Sequence, residues 1–413
     1  MAQAAQSKNV VVAGGSYVGL AVAKELVDVL PKDYTVSVLE QNSHFGHLFA
    51  YPRFAISPGS EHKAFVPYAH LDSSMLPSPH RVVRARAVAL DPARRTVQLA
   101  DGGELGYDAL VVATGTKLSP PGTMPGGGDK KDGVEYLRSI QGKLKAADEI
   151  VIIGGGAVGV QMACDLAILY PAKRGHITLI QSRRLMPRFH PQLHDIVSKR
   201  FAELGVNTIT GVRAEVPEGG YEKLNEQGGG EIVLKDGRRI KADYVVHALG
   251  QTPNSQLVAS SLPSAVNPSG FIRVLPSLVI APTSSDESAQ VQNRIYAVGD
   301  IADSGAPKAA RPAMQHAAVV ARNIAKVLSS ASASDELETI TNSPGAIHLT
   351  LGVVESIIFR NPRSDGVDEQ GEPRWVGEPE VMWKDDGKED MGIEGVWARR
   401  LPGLKATAEM YHL

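Results

Sequence analysis

One local pattern occurs twice in this chain. Residues 9–20 read NVVVAGGSYVGL and residues 149–160 read EIVIIGGGAVGV. In each, a β-branched run stops at a glycine-rich turn, and an apolar stretch with helical spacing follows: Leu20–Leu26 in the first, Val160–Leu166 in the second. A second apolar run closes each unit, YTVSVLE at 34–40 and HITLIQ at 176–181. Strand, tight turn, helix and strand is the opening of a doubly wound parallel sheet. A helix that starts at such a turn points its unpaired N–H groups at any anion the glycines let approach. Many repeats at a short period would indicate a solenoid; two copies 140 residues apart indicate two dinucleotide-binding domains.

Other near-copies agree. YDALVVATG (107–115) and ADYVVHALG (242–250) are both apolar strands ending at a glycine, and a further strand, RIYAVGD, spans 294–300. The expected fold is α/β: two Rossmann-like FAD/NAD(P)-binding domains, one nested in the other, plus a small α+β C-terminal domain. The first domain is assigned to 1–125 and 261–330, the second to 126–260 and the C-terminal domain to 338–413. Alanine-rich residues 309–325 read as helix, and serine-rich 329–337 as a linker. Glycine-rich 121–132 and 216–230 read as surface connections. In the C-terminal part, β-like runs are expected at 346–359 and a polar loop at 361–374, with Trp375 and Trp383 partly buried.

The turns and the residues after them suggest which nucleotide each unit takes. Gly154-x-Gly156-x-x-Gly159 is complete, with Ala157 and Val158 opening its helix; the first turn is Gly14, Gly15, Ser16 and Gly19, serine taking the middle place. Glu40, 21 residues after Gly19 and followed by Gln41, suits a grip on ribose hydroxyls and would repel a 2′-phosphate, so this site takes FAD or NAD. Gln181 stands 22 residues after Gly159 and is followed by Arg183 and Arg184. No acid excludes a 2′-phosphate there and two guanidiniums can meet it, which favours NADPH or tolerance of both NADPH and NADH.

Composition removes other classes. The 413 residues carry 43 basic and 45 acidic side chains, a net of −2, with no basic surplus for nucleic acid. Cys164 is the single cysteine, which excludes an internal disulfide, a CxxC redox pair and a cysteine-cage zinc site. His44, His47, His62 and His70 fit no metal signature, and no nucleophile-elbow motif is present. No stretch approaches the ~20 apolar residues of an integral membrane span. MAQAAQSKNV lacks the pattern of a signal peptide, and Tyr411-His412-Leu413 is a poor match to a peroxisomal tail. A cytoplasmic protein, monomer or homodimer, is expected.

Ser-Tyr-Val-Gly after a glycine pair, ATG at 113–115, GGGAVG at 154–159, ALGQTPNS at 248–255 and YAVGD at 296–300 occur in this order. In them the chain resembles the pyridine nucleotide–disulfide oxidoreductase superfamily, over residues 9 to about 328. FGHLFAYPR (45–53) and Glu61–Phe65 are similar to its apoptosis-inducing-factor-like branch, which includes ferroptosis suppressor protein 1, with type II NADH dehydrogenases next. The resemblance implies FAD on Gly14, Gly15, Ser16, Gly19, Glu40, Thr114 and Gly115, with Asp300 on the ribityl chain. It implies NAD(P)H on the second turn and Gly250, with Gln161 where the family has glutamate facing the nicotinamide ribose. Arg53 and Lys63 match basic positions near the flavin, and Lys308 precedes a helix aimed at it.

The superfamily's flavin-side cysteine pair is missing, since residues 41–60 hold none. The resemblance therefore implies that electrons leave directly from flavin, to a quinone-like small molecule or to oxygen. A flavin oxidase or monooxygenase of secondary metabolism, and a redox-sensing flavin-binding protein, are the competing readings. The charged residues of 376–413 argue against an interfacial membrane helix, leaving transient membrane association open.

Overall fold

Valine and isoleucine runs buried on both faces make two parallel sheets, as such runs do when helices cover each side. The computed structural model describes residues 8–70, 75–124, 128–329, 336–385, 388–404 and 406–412. The segments read as connection at 125–127 and as linker at 330–335, with the first seven residues and Leu413, lie outside them.

The first sheet has five parallel strands, in the order 295–297, 109–112, 9–13, 35–40 and 81–84. The second has four, in the order 207–210, 177–181, 150–153 and 244–247. Each opening strand therefore lies inside its sheet, and its turn opens at the sheet's carboxyl edge, where α/β folds bind ligands. The first helix, Tyr17–Val29, packs Gly19, Leu20, Val22, Ala23 and Leu26 inward and stops just before Pro31. Its counterpart, Ala157–Leu169, is buried almost all round, including Gln161, Cys164 and Asp165, because the C-terminal strands pack on its outer side.

Short antiparallel strands Thr116–Leu118 and Gln251–Pro253 zip the two crossings between the units. Leu257, Val258 and Leu262 already belong to the core of the first sheet. A second core is shared: Tyr51, Phe54 and Phe65 pack with Leu137 and Ile140 of the helix Lys130–Ala146, with the second sheet, and with Ile357 and Phe359 of the C-terminal part.

The C-terminal part is α+β, a three-stranded antiparallel sheet (346–350, 355–360 and 380–385) with a short helix, Ile393–Arg400. Several local expectations need correction. The polar loop at 361–374 is mostly a bulged hairpin, Arg363–Val367 with Pro373–Val376. Its turn is held by Asp368, whose carboxylate accepts the N–H groups of Gln370 and Glu372 at 2.9 and 2.8 Å. The connection at 216–230 contains a helix, Gly220–Glu226. The alanine-rich helix is two pieces, Ala310–Gln315 and Ala317–Ser329, broken where the His316 N–H turns to the carbonyl three residues back. Trp383 is 58% exposed at the sheet's outer strand; the buried tryptophan is Trp397.

Candidate functional site: two glycine turns and their neighbours

The first turn can be built only from glycine at its ends. A Cβ on Gly14 (φ +108°) would lie 2.5 Å from the Ala113 carbonyl oxygen, and one on Gly19 would lie 1.8 Å from that of Gly14. With no Cβ at either place, the helix and the end of the strand 109–112 can approach the turn this closely. Glu40, nearly buried, accepts the Gly15 N–H at 2.8 Å with one carboxylate oxygen and the Asn42 backbone and side-chain N–H groups at 2.9 and 2.8 Å with the other. Gln41 beside it is exposed. Ser16 caps the helix by backbone position, its hydroxyl making no cap bond. Thr114 and Asn254 exchange hydrogen bonds at 2.8 and 2.9 Å, and the Asn254 N–H reaches the Gly115 carbonyl at 3.0 Å. Gly299 packs against Val18, which sets Asp300 at the start of the same helix. Burial pushes the Asp300 carboxyl up, against the pull of Lys308 and Arg188.

The second turn repeats the plan. A Cβ on Gly154 (φ +118°) would lie 2.3 Å from the Ala248 carbonyl oxygen, and one on Gly159 would lie 1.9 Å from that of Gly154. A Cβ on Gly156 would meet nothing within 4 Å, so the middle of the turn is an open cradle ahead of Ala157 and Val158. Gln181 takes the place of Glu40: its amide oxygen accepts the Gly155 N–H at 2.9 Å. Gly250 lines a small cavity of about 240 Å³ beside the paired crossing strands, with Lys117, Ser119, Glu222 and His247. Gln161 is nearly buried, its amide 3.6 Å from the Met391 sulfur.

The expected cations fare differently. Arg53 is not a free cation beside the first turn. It is wholly buried, and four of its five N–H donors are spent: on Asp165 at 2.6 Å and on the carbonyls of Val353, Glu389 and Gly352 at 2.8, 3.1 and 2.9 Å. Lys63 pairs with Asp390 at 3.4 Å and lies over the Tyr411 ring. Lys308 donates to the Ala302 carbonyl, stands 4.5 Å from the Phe271 ring centre and is shifted down by burial. Arg184 donates to the carbonyls of Pro187 and Phe189 at 3.2 Å and pairs with Glu372 at 3.0 Å; Arg183 is 63% exposed and 3.6 Å from the same carboxylate.

Sequence reasoning missed a group on the first turn. Tyr68 donates its hydroxyl to the Gly15 carbonyl at 2.7 Å, and the Tyr17 hydroxyl bonds His47 Nδ1 at 2.7 Å. Arg400, from the C-terminal helix, stands over the rings of Phe45 and Tyr17 at 4.3 and 5.4 Å. Ring spacing within 45–51 could have flagged Phe45 and His47; nothing local flags Tyr68 or Arg400. The histidines disperse, His47 to Tyr17 and His62 to a stack on His412 with ring centres 4.2 Å apart. Among the described residues no cluster suited to a metal forms, and no helix is long and apolar enough to cross a membrane.

Residues 8–317 match the family model described as pyridine nucleotide-disulphide oxidoreductase. The chain belongs to this family. A relative, Fe-regulated protein 8 of Mycosarcoma maydis, is 33% identical over 96% of this chain and 95% of its own length. Apoptosis-inducing factor homolog B of Dictyostelium discoideum is 28% identical over 86% of this chain and 90% of its own. Among solved structures, the sulfide:quinone oxidoreductase of Aquifex aeolicus superposes with a TM-score of 0.70 at 20% identity, covering 97% of this chain and 93% of the other. The chain is thus a member of the apoptosis-inducing-factor-like branch, an FAD-dependent NAD(P)H oxidoreductase. Its residues fit these groups: both turns are closed behind by carbonyls a Cβ would strike, and the second is open in front at Gly156.

Proposed function

We propose that the first turn holds FAD, the second holds NAD(P)H, and the enzyme reduces a quinone-like small molecule. When bound, the two groups supply hydride transfer from nicotinamide to flavin and onward electron delivery. The reading is carried by the paired hydrogen bonds Glu40–Gly15 at 2.8 Å and Gln181–Gly155 at 2.9 Å, one framework used twice with different charge. Gly14, Gly15, Ser16 and Gly19 receive the flavin pyrophosphate on the helix N-terminus, with Ser16 Oγ as an added donor. Glu40 orients the adenosine ribose, and Thr114 and Gly115 shape the turn's rim. Asp300 accepts from the ribityl hydroxyls.

On the second unit, Gly154, Gly156 and Gly159 admit the coenzyme pyrophosphate onto Ala157 and Val158, while Gln161 and Gly250 flank its nicotinamide half. Arg183 is the more exposed guanidinium and the one within reach of a 2′-phosphate; Arg184 is held by its loop. Cys164 is buried within the second helix, so no thiol relays electrons and the acceptor must come up to the flavin itself.

An anaerobic titration of the visible flavin spectrum with NADH and with NADPH tests the first half. Bleaching by at least one coenzyme is expected. Oxygen uptake with and without a water-soluble benzoquinone tests the second: full-rate oxygen consumption without quinone overturns the quinone reading.

A further inference from the structure

We propose that Glu372 sets the coenzyme preference, acting as an internal counter-anion on Arg183 and Arg184, of which Arg183 would otherwise take the 2′-phosphate of NADPH. The inference rests on the reading that the second turn holds NAD(P)H. In sites that prefer NADH, the acid that repels a 2′-phosphate ends the second strand. Here that place is Gln181, and its amide oxygen is already engaged by the Gly155 N–H at 2.9 Å. The carboxylate comes from elsewhere in the chain. Glu372 reaches Arg184 at 3.0 Å and Arg183 at 3.6 Å from the far hairpin of the C-terminal part.

The placement is built at several points. Asp368 fixes the hairpin's turn, accepting the Glu372 N–H on its side chain and donating its own N–H to the Glu372 carbonyl, both at 2.8 Å. On the same hairpin, Trp375 meets the His190 ring edge-on at 6.1 Å. Just before the hairpin, Asn361 accepts the His190 N–H at 2.9 Å and donates to the Arg188 carbonyl at 3.2 Å. The contacts of Trp375 and Asn361 with His190 and Arg188 land on the segment that follows Arg183 and Arg184. The hairpin is thereby docked against the loop after the second strand, with its acid on the two guanidiniums.

The two coenzymes meet this arrangement differently. NADH offers a 2′-hydroxyl and leaves the Glu372 pairs standing. The phosphate of NADPH carries about two negative charges at neutral pH, so it competes with Glu372 for Arg183, the more exposed partner, and is repelled by the same carboxylate. Arg184 stays tied to the Pro187 and Phe189 carbonyls in either case.

The test measures dissociation constants of NADPH, NADH and the fragments 2′,5′-ADP and 5′-AMP for the flavin-loaded full chain. Wild type, Glu372→Gln, Arg183→Gln and the double variant are compared, and each variant's unfolding temperature is recorded. Glu372→Gln is expected to tighten NADPH and 2′,5′-ADP about five-fold, the size of one partly exposed ion pair. NADH and 5′-AMP should move less than two-fold, and the gain should vanish in the double variant. Equal shifts for both coenzymes, no shift, or weaker NADPH binding to Glu372→Gln would each overturn the proposal. Gly156→Val, which closes the open cradle, separates the underlying reading. If that variant still binds both coenzymes as wild type does, the second turn is not their site, and the Glu372 proposal falls with it.

Discussion

Arg53 and Asp165 meet at 2.6 Å with both side chains wholly buried. The pair joins the segment after the first acid strand to the second fingerprint helix. Through the Arg53 bonds to the carbonyls of Gly352, Val353 and Glu389 it also ties in the C-terminal part. Burial pushes the Asp165 carboxyl up, and Arg53 pulls it back down. Removing one partner strands a buried charge, so Arg53→Met or Asp165→Leu alone should cost about 3–5 kcal/mol. The double variant should recover part of that loss. Urea unfolding of the three variants checks the order, and a double variant worse than both singles contradicts it.

His47 gives the enzyme an acid-sensitive joint. Burial, then the charges of Arg400 and Arg399, hold its pKa down at about 4 against an ordinary 6.5. Between these values the unfolded chain takes up a proton that the folded chain does not. Its contribution to stability is complete above pH 6.5 and falls away as pH drops toward 4. Over that window the loss approaches about 3 kcal/mol. Unfolding free energies of wild type and His47→Gln at pH 7.5 and 4.5 should show the smaller acid loss in the variant.

Cys164 should be chemically silent. It is fully buried, and burial together with the neighbouring Asp165 pushes its thiol up, away from the reactive thiolate. A disulfide reagent such as dithionitrobenzoate should find almost no thiol in the native protein and one per chain in denaturant. Turnover with NAD(P)H should survive N-ethylmaleimide; inhibition that tracks modification of Cys164 would restore a thiol mechanism.

Glu40 and the first turn should govern flavin content independently of the second unit. Glu40→Ala removes the acceptor of the Gly15 N–H and of both Asn42 donors. The purified variant should hold about ten-fold less FAD, the loss of one or two charge-assisted bonds, with residual coenzyme binding retained. Absorbance at the flavin band, scaled to protein, measures it. A variant with full flavin content would move the adenosine ribose away from Glu40.

The parts of the fold legible in the sequence are those whose cause is local. A β-branched run meeting Gly14 or Gly154 specifies strand, turn and helix within about a dozen residues, and Glu40 and Gln181 follow by counting. The hairpin at 363–376 was hidden because Asp368, a polar residue in a polar stretch, does the turning. The helix 393–400 was hidden by the acids before it, although Ile393, Val396 and Trp397 have helical spacing and pack beside Leu20, Phe45 and Val66. Arg53 is expected near the flavin from the family resemblance alone, and its buried bonds are not legible because its partners lie 112 residues or more away in sequence. Glu372 and Arg400 carried no motif at all; only tertiary contact gives them a role.

Thr116–Leu118 and Gln251–Pro253 run antiparallel, with Thr116 opposite Pro253. The chain therefore departs from the first unit and rejoins it at points about 5 Å apart. To that unit, everything between is one long hairpin, however many residues it contains. A coenzyme module could be exchanged there by a single insertion event, with no rethreading of the host sheet. The opposite boundary is less permissive, because a newcomer must also bring its own equivalents of Leu137 and Asp165 for Phe54 and Arg53 to meet. Lineages of this architecture should thus diversify their reductants by changing residues within a resident module more readily than by replacing it.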